Sequence, residues 1–333
     1  MTFMKSFSRG LLIATLVVAP LASAVGEAIK SQRPMPILRA GNSVRKAPVR
    51  YAAANSRSDP ITLGIASINT QKKIAEYQEF VNYLTRRLTS RNNRRGTLHV
   101  VPTPFELAQL LIDHKIDFFM DSPYPTHRVN AHAGSRLLAR RWKNGVSEYR
   151  SVIITRKDSG IARLEDLRGA IIAFEDRDST SGYFLPRTLL ARKGLDLRQM
   201  SSFNETAAPK EIGYLFAGSS EITVIDWVLG RNVAAGAVSD NDLERLDSKK
   251  RAELMVLTAS DPLPRYLVSV RKELAPRFGN QLKSVLLAMH LDPEGKNILR
   301  KMENTTKFDA LPFAHEDLQR RLFDMPPNGS PAN

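Results

Sequence analysis

Short apolar runs alternate along most of the chain with segments in which apolar residues recur every three or four positions. The apolar run at 61–66 predicts a strand, and the periodic segment at 71–88 predicts a helix. The apolar face of that helix consists of Ile74, Tyr77, Val81, Leu84 and Leu88. A helix at 104–114 is predicted between further strands at 97–101 and 116–120. Strands that alternate with helices in this order predict an α/β fold with a mostly parallel sheet.

A second alternating series begins near residue 157 and continues to about residue 258. Its predicted strands lie at 170–174, near Met200, at 233–238 and at 254–257. Its predicted helices lie at 182–192, 220–229 and 241–247. The series therefore predicts a separate α/β lobe. After this lobe the pattern predicts one more strand and three more helices, at 266–270, 275–289, 292–302 and 315–324.

The strand predicted at 170–174 leads into a polar turn that precedes a helix. The turn ends in Ser179, Thr180, Ser181 and Gly182. The first N–H groups of a helix have no internal partners, so these groups, the helix dipole and the three hydroxyl groups form a receptor for a tetrahedral oxyanion. The alternative is an N-cap, in which the hydroxyl groups satisfy the helix itself. A nucleotide loop is excluded because the turn has no Gly-Lys-Ser/Thr ending and no Gly-x-Gly-x-x-Gly.

Two loops of the first lobe follow predicted strands and are further candidates for ligand contact. Ligands of open α/β sheets bind at the carboxyl ends of the strands, which selects the loops at 67–70 and 121–124. The candidate residues in these loops are Asn69, Thr70, Ser122 and Tyr124. Tyr124 combines an aromatic face with a hydroxyl group and suits a small polar pocket, and its alternative role is that of a half-buried core residue. Tyr149 begins a strand and is a candidate either for the ligand or for packing where the chain crosses between lobes.

The first residues of the chain have the three regions of a secretory signal peptide. Lys5 and Arg9 precede an apolar run at 11–21, and Ala-Ser-Ala follows at 22–24. The run is shorter than the roughly 20 residues of a spanning helix, so we expect cleavage after Ala24, the alternative being an uncleaved N-terminal anchor. The chain contains no Cys, which excludes disulfides and a lipid anchor at the cleavage site. These features predict a soluble periplasmic protein.

Basic residues are concentrated in the segment that follows the predicted signal. Residues 25–59 lack periodicity and are expected to form a flexible lead, and residues 326–333 are expected to form a flexible tail. The formal net charge is +15, and residues 1–59, with nine Lys or Arg and two Asp or Glu, supply +7 of it. The remaining excess of +8 suits an anionic ligand without identifying one. An exported chain meets little nucleic acid, so no nucleic-acid partner is expected.

Several separated segments resemble one protein family in the right order. They are Tyr-Arg-Ser-Val-Ile-Ile at 149–154, Asp-Ser-Gly-Ile at 158–161, Leu-Glu-Asp-Leu-Arg-Gly at 164–169 and the Ser-Thr-Ser-Gly turn. Together they closely resemble the substrate-binding proteins of phosphate, phosphite and phosphonate ABC transporters, and a weaker resemblance extends from about residue 61 to about residue 311. The resemblance implies that an aromatic residue contacts the ligand directly after the strand predicted at 116–120, and in this chain that residue is Tyr124.

The resemblance implies a two-lobed periplasmic binding protein of type II, with a hinge between the lobes. It implies that the last elements return to the first lobe, so that the predicted organisation is a signal peptide at 1–24, lobe I at 60–156 and 259–325, and lobe II at 157–258. It also implies a small anionic ligand such as phosphate, phosphite or a phosphonate, an ABC permease in the inner membrane as partner, and no cofactor.

The second lobe departs from the family pattern at the positions that contact the ligand. Some phosphonate binders place a His there, but no His occurs between residues 157 and 257. Ser219, Ser220 or Thr223 is a candidate replacement, although capping of the next helix competes. Asp240 lies where binders of amino-bearing phosphonates supply a carboxylate, with helix capping as the alternative. Glu175 is a second candidate for that carboxylate, with a hydrogen bond to the turn as the favoured alternative.

Two functions remain after the sequence has been considered. The first is capture of a small oxyanion for an ABC transporter. The second is a sensory protein that presents its ligand-bound form to a membrane kinase or cyclase, since one fold serves both roles. An enzyme is not expected, because the chain contains neither His-Glu-x-x-His nor Gly-x-Ser-x-Gly and no cluster of residues at metal-ligand spacing.

Overall fold

Strands and helices alternate through the part of the chain that the computed structural model describes, which is residues 59–89, 95–218, 220–312, 318 and 320–324. The strands are β1 (Thr62–Ala66), β2 (Thr97–Val101), β3 (Phe118–Asp121), β4 (Arg136–Lys143), β5 (Glu148–Tyr149), β6 (Ser151–Arg156), β7 (Ile171–Phe174), β8 (Asp196–Gln199), β9 (Glu211–Phe216), β10 (Ala235–Ser239), β11 (Leu254–Ala259), β12 (Leu263–Pro264), β13 (Tyr266–Val270) and β14 (Thr305–Asp309). The α-helices are α1 (Thr70–Leu88), α2 (Pro104–Ile112), α3 (Pro123–Ala133), α4 (Leu185–Arg192), α5 (Glu221–Leu229), α6 (Asp240–Glu244), α7 (Ser248–Ala252), α8 (Pro276–Ala288) and α9 (Pro293–Lys301).

The first lobe is built on a six-stranded sheet in the order β14-β4-β13-β3-β1-β2. β1 pairs in parallel with β2 and β3, whereas β13 is antiparallel to both β3 and β4. On one face, α1, α8 and α9 bury a core that includes Phe80, Phe118 and Leu286. On the other face, Leu107 of α2 and Val129 of α3 pack together with Phe119 of β3. Both faces of this sheet are therefore covered by helices, as parallel sheets require.

The second lobe has its own six-stranded sheet, in the order β11-β6-β10-β7-β9-β8. β7 pairs in parallel with β9 and β10, and β6 runs antiparallel to β10 and β11. Val224 and Val228 of α5 contribute to the core on one face, and Leu190 of α4 contributes to a second core with Ile172 and Ile212. Each lobe thus has a separate core, which confirms the predicted two-lobed α/β architecture.

The two crossovers between the lobes lie side by side as a short antiparallel ribbon. β5 pairs with β12, with Tyr149 opposite Leu263 and Glu148 opposite Pro264. The N–H of Arg265 also donates to the carbonyl of Ser147, at 2.7 Å. Adjacent crossovers of this kind form a hinge about which two lobes can rotate.

The predicted boundary between the lobes at residue 156 has to be corrected. β6, which spans Ser151–Arg156, pairs with β10 and β11 of the second sheet rather than with the first sheet. The first crossover therefore lies at residue 150. The predicted signal peptide, the lead up to residue 58, the tail and four residues of the last predicted helix, 315–317 and 319, lie outside the described residues.

Three elements lacked a clear signal in the sequence and were missed. In α3 the segment Pro-Tyr-Pro-Thr-His contains few apolar residues, and the helix begins only because Pro123 suits a first turn. In β9 the apolar alternation is interrupted by Gly213, where a Cβ atom would lie 3.0 Å from the side chain of Met200. In β14 the polar sequence Thr-Thr-Lys-Phe-Asp forms an edge strand on β4.

Among the described helices, none combines the length and apolar character needed to cross a bilayer.

Candidate ligand-binding cleft

A cleft of about 620 Å³ lies where the carboxyl ends of strands from both lobes meet the hinge. Six of the predicted site residues line it, namely Asn69, Ser122, Tyr149, Ser179, Thr180 and Ser181. The other four, which are Thr70, Tyr124, Gly182 and Asp240, lie outside its lining. The structure thus brings together polar residues that are up to 112 positions apart in the chain, from Asn69 to Ser181.

The Ser-Thr-Ser-Gly turn acts as a helix cap and also borders the cleft. Ser179 is the N-cap, and its hydroxyl accepts a hydrogen bond from the N–H of Gly182 (2.9 Å) and donates one to Oε2 of Glu175 (2.6 Å). Thr180–Phe184 then forms a single wide π-helical turn that leads into α4. Within the described residues, the N–H groups of Thr180 and Ser181 have no backbone acceptor. These two donors are therefore available to an anion, while the hydroxyl of Ser179 is occupied by the cap.

Gly182 does not line the cleft, but the turn depends on its lack of a side chain. A Cβ atom there would lie 2.5 Å from Cβ of Glu175, 2.7 Å from Oε2 of the same residue and 2.9 Å from Oγ of Ser179. Cβ atoms do not tolerate such distances, because interiors are close-packed. Only glycine therefore lets the turn fold back onto the end of β7.

Replacing Gly182 with Ala should displace Glu175 and Ser179 and destabilise the protein by about 1–3 kcal/mol, the usual cost of overpacking. The free energy of unfolding measured by urea titration would show this. Gly160 is a suitable control because its Cβ would meet nothing within 4 Å, although its φ of +77° adds the usual strain of a left-handed position. A G182A variant as stable as the wild type would mean that the turn does not pack in this way.

Thr180 joins the turn of the second lobe to the loop of the first lobe. Its hydroxyl accepts a hydrogen bond from the N–H of Tyr124 and donates one to Oγ of Ser122, both at 2.9 Å. The ring of Tyr124 stacks on Phe184 with 4.0 Å between centroids, and Arg128 pairs with Asp178 at 2.6 Å. Tyr124 therefore holds the lobes together at the edge of the cleft. Tyr124 lies outside the cleft lining, and its expected contact with the ligand stays a prediction.

A buried arginine at the hinge lines the cleft, and the sequence analysis did not identify it. Arg265 follows β12 and is only 8% exposed. Its guanidinium carbon lies 4.6 Å from the ring centre of Tyr149 and 5.8 Å from that of Tyr266. Burial raises the pKa of Tyr149 to about 12, although the charge of Arg265 and hydrogen bonds with Thr180 and Ser181 oppose the shift. The sequence signal that could have identified Arg265 is a charged residue between two apolar segments, at a point where the chain crosses between lobes.

An ionic cluster forms the side of the cleft that belongs to the first lobe. Glu303 accepts hydrogen bonds from Arg141 Nη2 and from the hydroxyl of Tyr77, both at 2.7 Å, and it pairs with Lys73. Arg141 is fully buried, and Lys143 lies 3.9 Å from the same carboxylate. The sequence analysis did not identify Arg141, and the structure places it at the centre of this cluster.

The cations of this cluster determine the ionisation of Glu303. Burial acts to raise the pKa of Glu303, but the charges of Arg141, Lys143 and Lys73 outweigh it and hold that pKa well below the ordinary range. Burial also lowers the pKa of Lys143. Glu303 neutralises one of the three cations and Glu76, which also pairs with Lys73, neutralises a second, so the cluster keeps only a small positive excess for a ligand.

Carboxylates without ion-pair partners among the described residues line the rest of the cleft, and they are Asp121, Glu175, Asp176, Glu221 and Asp242. Burial raises the pKa of Asp121 to about 7, and the charges of Asp178, Asp176 and Glu303 add to the shift against the hydrogen bond from the N–H of Ser122. Burial likewise raises the pKa of Glu175 to about 7, against the hydrogen bond from Ser179. Glu175, the second candidate for a carboxylate that pairs with an amino group of the ligand, therefore lines the cleft.

The predicted contact through Asp240 has to be corrected. Its Oδ1 accepts hydrogen bonds from the N–H groups of Arg150 (3.0 Å) and Asn241 (2.8 Å), so it fixes the crossover outside the cleft lining. Asp242, two residues further along α6, lines the cleft instead. Ser220 caps α5, because its hydroxyl accepts a hydrogen bond from the N–H of Thr223 at 3.3 Å. For Ser220 and Thr223 this supports helix capping, the alternative to ligand contact. Ser219 lies outside the described residues.

Several solved structures share this architecture. The structure of XAC2383 from Xanthomonas citri bound to chloride ion matches with 26% identity and a TM-score of 0.73, over 78% of this chain and 95% of that one. The structure of the same protein bound to ATP matches with 25% identity and a TM-score of 0.69, over 78% of this chain and 94% of that one. PhnD1 from Prochlorococcus marinus, in complex with methylphosphonate, has 18% identity and a TM-score of 0.58, over 79% of this chain and 97% of that one. That last similarity shows the fold alone.

Among curated proteins, the tetrathionate sensor histidine kinase TtrS of Salmonella typhimurium is 26% identical over 178 residues, which is 50% of this chain. The match spans only 28% of the length of that kinase. Residues 63–314 match the family described as the ABC transporter, phosphonate, periplasmic substrate-binding protein. Because this match covers well over half of the sequence, the chain belongs to the family of periplasmic substrate-binding proteins of phosphonate ABC transporters.

Proposed function

We propose that the chain is a periplasmic solute-binding protein that captures a small oxyanion, namely phosphate, phosphite or a phosphonate, and delivers it to an ABC permease in the inner membrane. One observation carries the proposal: the turn at Ser179–Ser181 lines a cleft between two hinged lobes and leaves the N–H groups of Thr180 and Ser181 without backbone acceptors. The N-terminus of a helix, with such donors, is a favourable site for an anion.

The same arrangement explains how the protein would select its ligand. N–H groups can only donate, whereas a hydroxyl group can also accept, so a fixed set of both distinguishes a protonated phosphorus oxyanion from sulfate. Rotation about the β5–β12 ribbon would exclude water from the site. Hydrogen bonds to the anion are stronger in that drier environment. The site requires no catalytic group for this function.

The unpaired carboxylates of the cleft favour a ligand that also carries a positive charge. Glu175 and Asp242 line the cleft from the second lobe, and Asp121 lines it from the first. An ammonium group near them would gain charge-assisted hydrogen bonds, whereas a simple dianion would be repelled. Within the proposed class, a phosphonate with an amino group, such as 2-aminoethylphosphonate, therefore fits better than phosphate. Asp242 takes the role predicted for Asp240.

A calorimetric titration tests the proposed function directly. The protein beginning at Val25 is unfolded and refolded to remove bound ligand, and it is then titrated with phosphate, phosphite, methylphosphonate, 2-aminoethylphosphonate and sulfate. We expect saturable binding of a phosphorus oxyanion, tightest for 2-aminoethylphosphonate, and none of sulfate. Absence of binding by all four phosphorus compounds would contradict the proposal.

Replacing both Thr180 and Ser181 with Ala should weaken phosphonate binding by about tenfold to a hundredfold, because it removes the Thr180 hydroxyl that bonds the turn to Tyr124 and Ser122 across the cleft and the Ser181 hydroxyl at the cleft lining, each hydrogen bond contributing about 0.5–1.5 kcal/mol. The fold should persist, since the change leaves the backbone of the turn intact. Thr188 provides a matched control because its hydroxyl donates only to the carbonyl of Phe184 within the helix, at 2.8 Å. T188A should bind like the wild type, and unchanged affinity in the double variant would show that the two hydroxyl groups take no part in binding, which would leave only the N–H groups of the turn as contacts.

The match to a sensor kinase supports a second candidate function. In this alternative the ligand-bound lobes contact a membrane signalling partner instead of a permease. Deleting the chain from cells distinguishes the two, because loss of phosphonate uptake supports transport, whereas loss of a ligand-induced transcriptional response with normal uptake supports sensing.

A further inference from the structure

Arg265 differs from the other deeply buried arginines because it has no counter-charge at contact distance. Arg140 and Arg265 are both 8% exposed, and Arg141 is 0% exposed. Arg140 pairs with Asp309 at 2.7 Å, and Arg141 pairs with Glu303 at 2.7 Å. Nε of Arg265 is buried without a hydrogen-bond partner, and no carboxylate of the described residues forms an ion pair with this guanidinium. Proteins keep a buried, unpaired charge only at a cost in stability, so such a charge marks a site of function.

The surroundings of Arg265 suit an external anion. The rings of Tyr149 and Tyr266 lie against the guanidinium, at 4.6 and 5.8 Å. A guanidinium that is held against aromatic rings remains charged and presents its N–H edge as a rigid fork for two oxygen atoms. Arg265 lines the same cleft as the Ser-Thr-Ser turn. Its N–H edge is therefore the part of the residue for which the described residues supply no acceptor.

The position of Arg265 also links it to the hinge. The residue lies between β12, which pairs with the first crossover, and β13, which is a strand of the first sheet. Its backbone N–H donates to Ser147 across the ribbon, at 2.7 Å. An anion held by its side chain would therefore be attached to the segment about which the lobes rotate.

We propose that Arg265 is the charged anchor of the cleft and binds the anionic group of the ligand through two oxygen atoms, while the N–H groups of Thr180 and Ser181 bind it from the second lobe. This inference rests on the proposed oxyanion-binding function and adds the residue that supplies the positive charge. Carboxylates, sulfonates and phosphonates share the two-oxygen chemistry, so the test includes all three.

The test compares the wild type with R265Q, R265K and R140Q. Binding of methylphosphonate, 2-aminoethylphosphonate, acetate and methanesulfonate is measured by calorimetry, and unfolding temperatures are measured without ligand. R265Q should lose at least about thirtyfold in affinity, because it removes a desolvated charge from a paired site. R265K should retain part of the affinity, since it keeps the charge but not the fork.

Stability provides an independent readout. Ligand-free R265Q should unfold at a higher temperature than the wild type, because it removes a buried charge that no carboxylate of the described residues contacts and that Asp242 favours only from a longer distance. R140Q is matched in burial, but it should unfold at a lower temperature and bind like the wild type, because Asp309 and Glu148 lose their partner. R265Q that binds as tightly as the wild type, or that is no more stable without ligand, would overturn the anchor.

The outcomes separate the anchor from the proposed function. If the wild type binds only acetate or methanesulfonate and R265Q loses that binding, the proposal that Arg265 binds the anion is supported. The proposal that the ligand is a phosphorus oxyanion is then contradicted. If phosphonate binding survives R265Q but is lost in the Thr180 and Ser181 double variant, the function stands and the anchor is wrong. If the wild type binds none of these four compounds and neither phosphate nor phosphite, both are overturned.

Discussion

Replacing Glu303 with Gln should lower the free energy of unfolding at pH 7 by about 3 kcal/mol or more, because it removes one partner of a buried ionic cluster. The carboxylate is the counter-charge of Arg141, which is fully buried, and of Lys73. The amide cannot compensate these charges. Glu303 also has a φ of +48°, an unusual conformation for a residue with a side chain, and the cluster must stabilise it. Urea unfolding measures the loss.

The effect of E303Q should depend on pH in a defined direction. The pKa of Glu303 in the folded protein lies well below the ordinary range, because the cationic neighbours outweigh burial. Its contribution is therefore fully present above the unfolded-state pKa of about 4.3, and it is lost as the pH falls towards the folded value. The difference between wild type and E303Q should accordingly be largest at neutral pH and smaller at about pH 3.

A surface ion pair in the same lobe provides the control. Glu294 pairs with Arg86 at 2.5 Å, but both side chains are well exposed. E294Q should change stability by no more than about 1 kcal/mol. If E303Q and E294Q lower the free energy of unfolding by the same amount, the buried cluster at Glu303 does not stabilise the protein more than a surface ion pair does.

The cluster at Glu303 also indicates which cation of the cleft can bind an anionic ligand. Lys73 and Arg141 contact that carboxylate directly, and Lys143 lies 3.9 Å from it. Arg177, on the second lobe, is exposed and donates to Gln199 at 3.0 Å. Of the cleft cations named here, Arg265 is the one that combines burial with the lack of a partner. Affinity for an anion should therefore depend on the hinge more than on the cluster.

Patterns within short segments were enough to predict most elements of the fold. The spacing of four and then three residues between Tyr77, Val81 and Leu84 predicts a helix at 71–88, and α1 spans Thr70–Leu88. The polar turn before α4 was likewise visible, because a strand, three hydroxyl residues and a glycine occur in direct succession. In such cases neighbours in the chain determine the structure.

The site itself depends on contacts between residues far apart in the chain, which a local pattern cannot reveal. Thr180 meets Ser122 across 58 positions, and no feature of either segment indicates that the hydroxyl of Thr180 serves the lobe contact. Arg265 reaches Tyr149 only because the two crossovers pair as a ribbon. The choice between Asp240 and Asp242 depended on which carboxylate fixes the crossover, a contact set by Arg150. Topology supplied this information.

Replacing Asp121 with Asn should stabilise the ligand-free protein at pH 8 by about 1–3 kcal/mol, because burial of this carboxyl group opposes its ionisation. The pKa of Asp121 is raised to about 7 in the folded protein, mainly by burial and also by the charges of Asp178, Asp176 and Glu303. Asn has a similar shape, keeps an acceptor for the N–H of Ser122 and carries no charge. Chemical unfolding at several pH values measures the difference.

The gain from D121N should disappear on acidification. Below the unfolded-state pKa of about 3.9 both states are protonated, so the carboxyl group costs nothing. As the pH rises from about 4 to about 7, the unfolded state loses its proton first and the folded protein is progressively disfavoured. Asp113, an exposed residue after α2, is the control, and D113N should show no comparable gain. A gain for D121N that is equal at pH 4 and pH 8 would contradict the burial of a protonated carboxyl group.

The same variant connects stability to ligand choice. If Asp121 faces an ammonium group of the ligand, D121N should weaken binding of 2-aminoethylphosphonate by about tenfold and leave methylphosphonate unaffected or slightly tighter. E175Q should behave in the same way, because burial also raises the pKa of Glu175 to about 7 and its carboxyl group lines the cleft from the other lobe. Equal loss for both compounds would instead mean that these carboxyl groups shape the cleft without contacting a cation. The unfavourable burial of Asp121 and Glu175 in the ligand-free protein would then have no connection with the charge of the ligand.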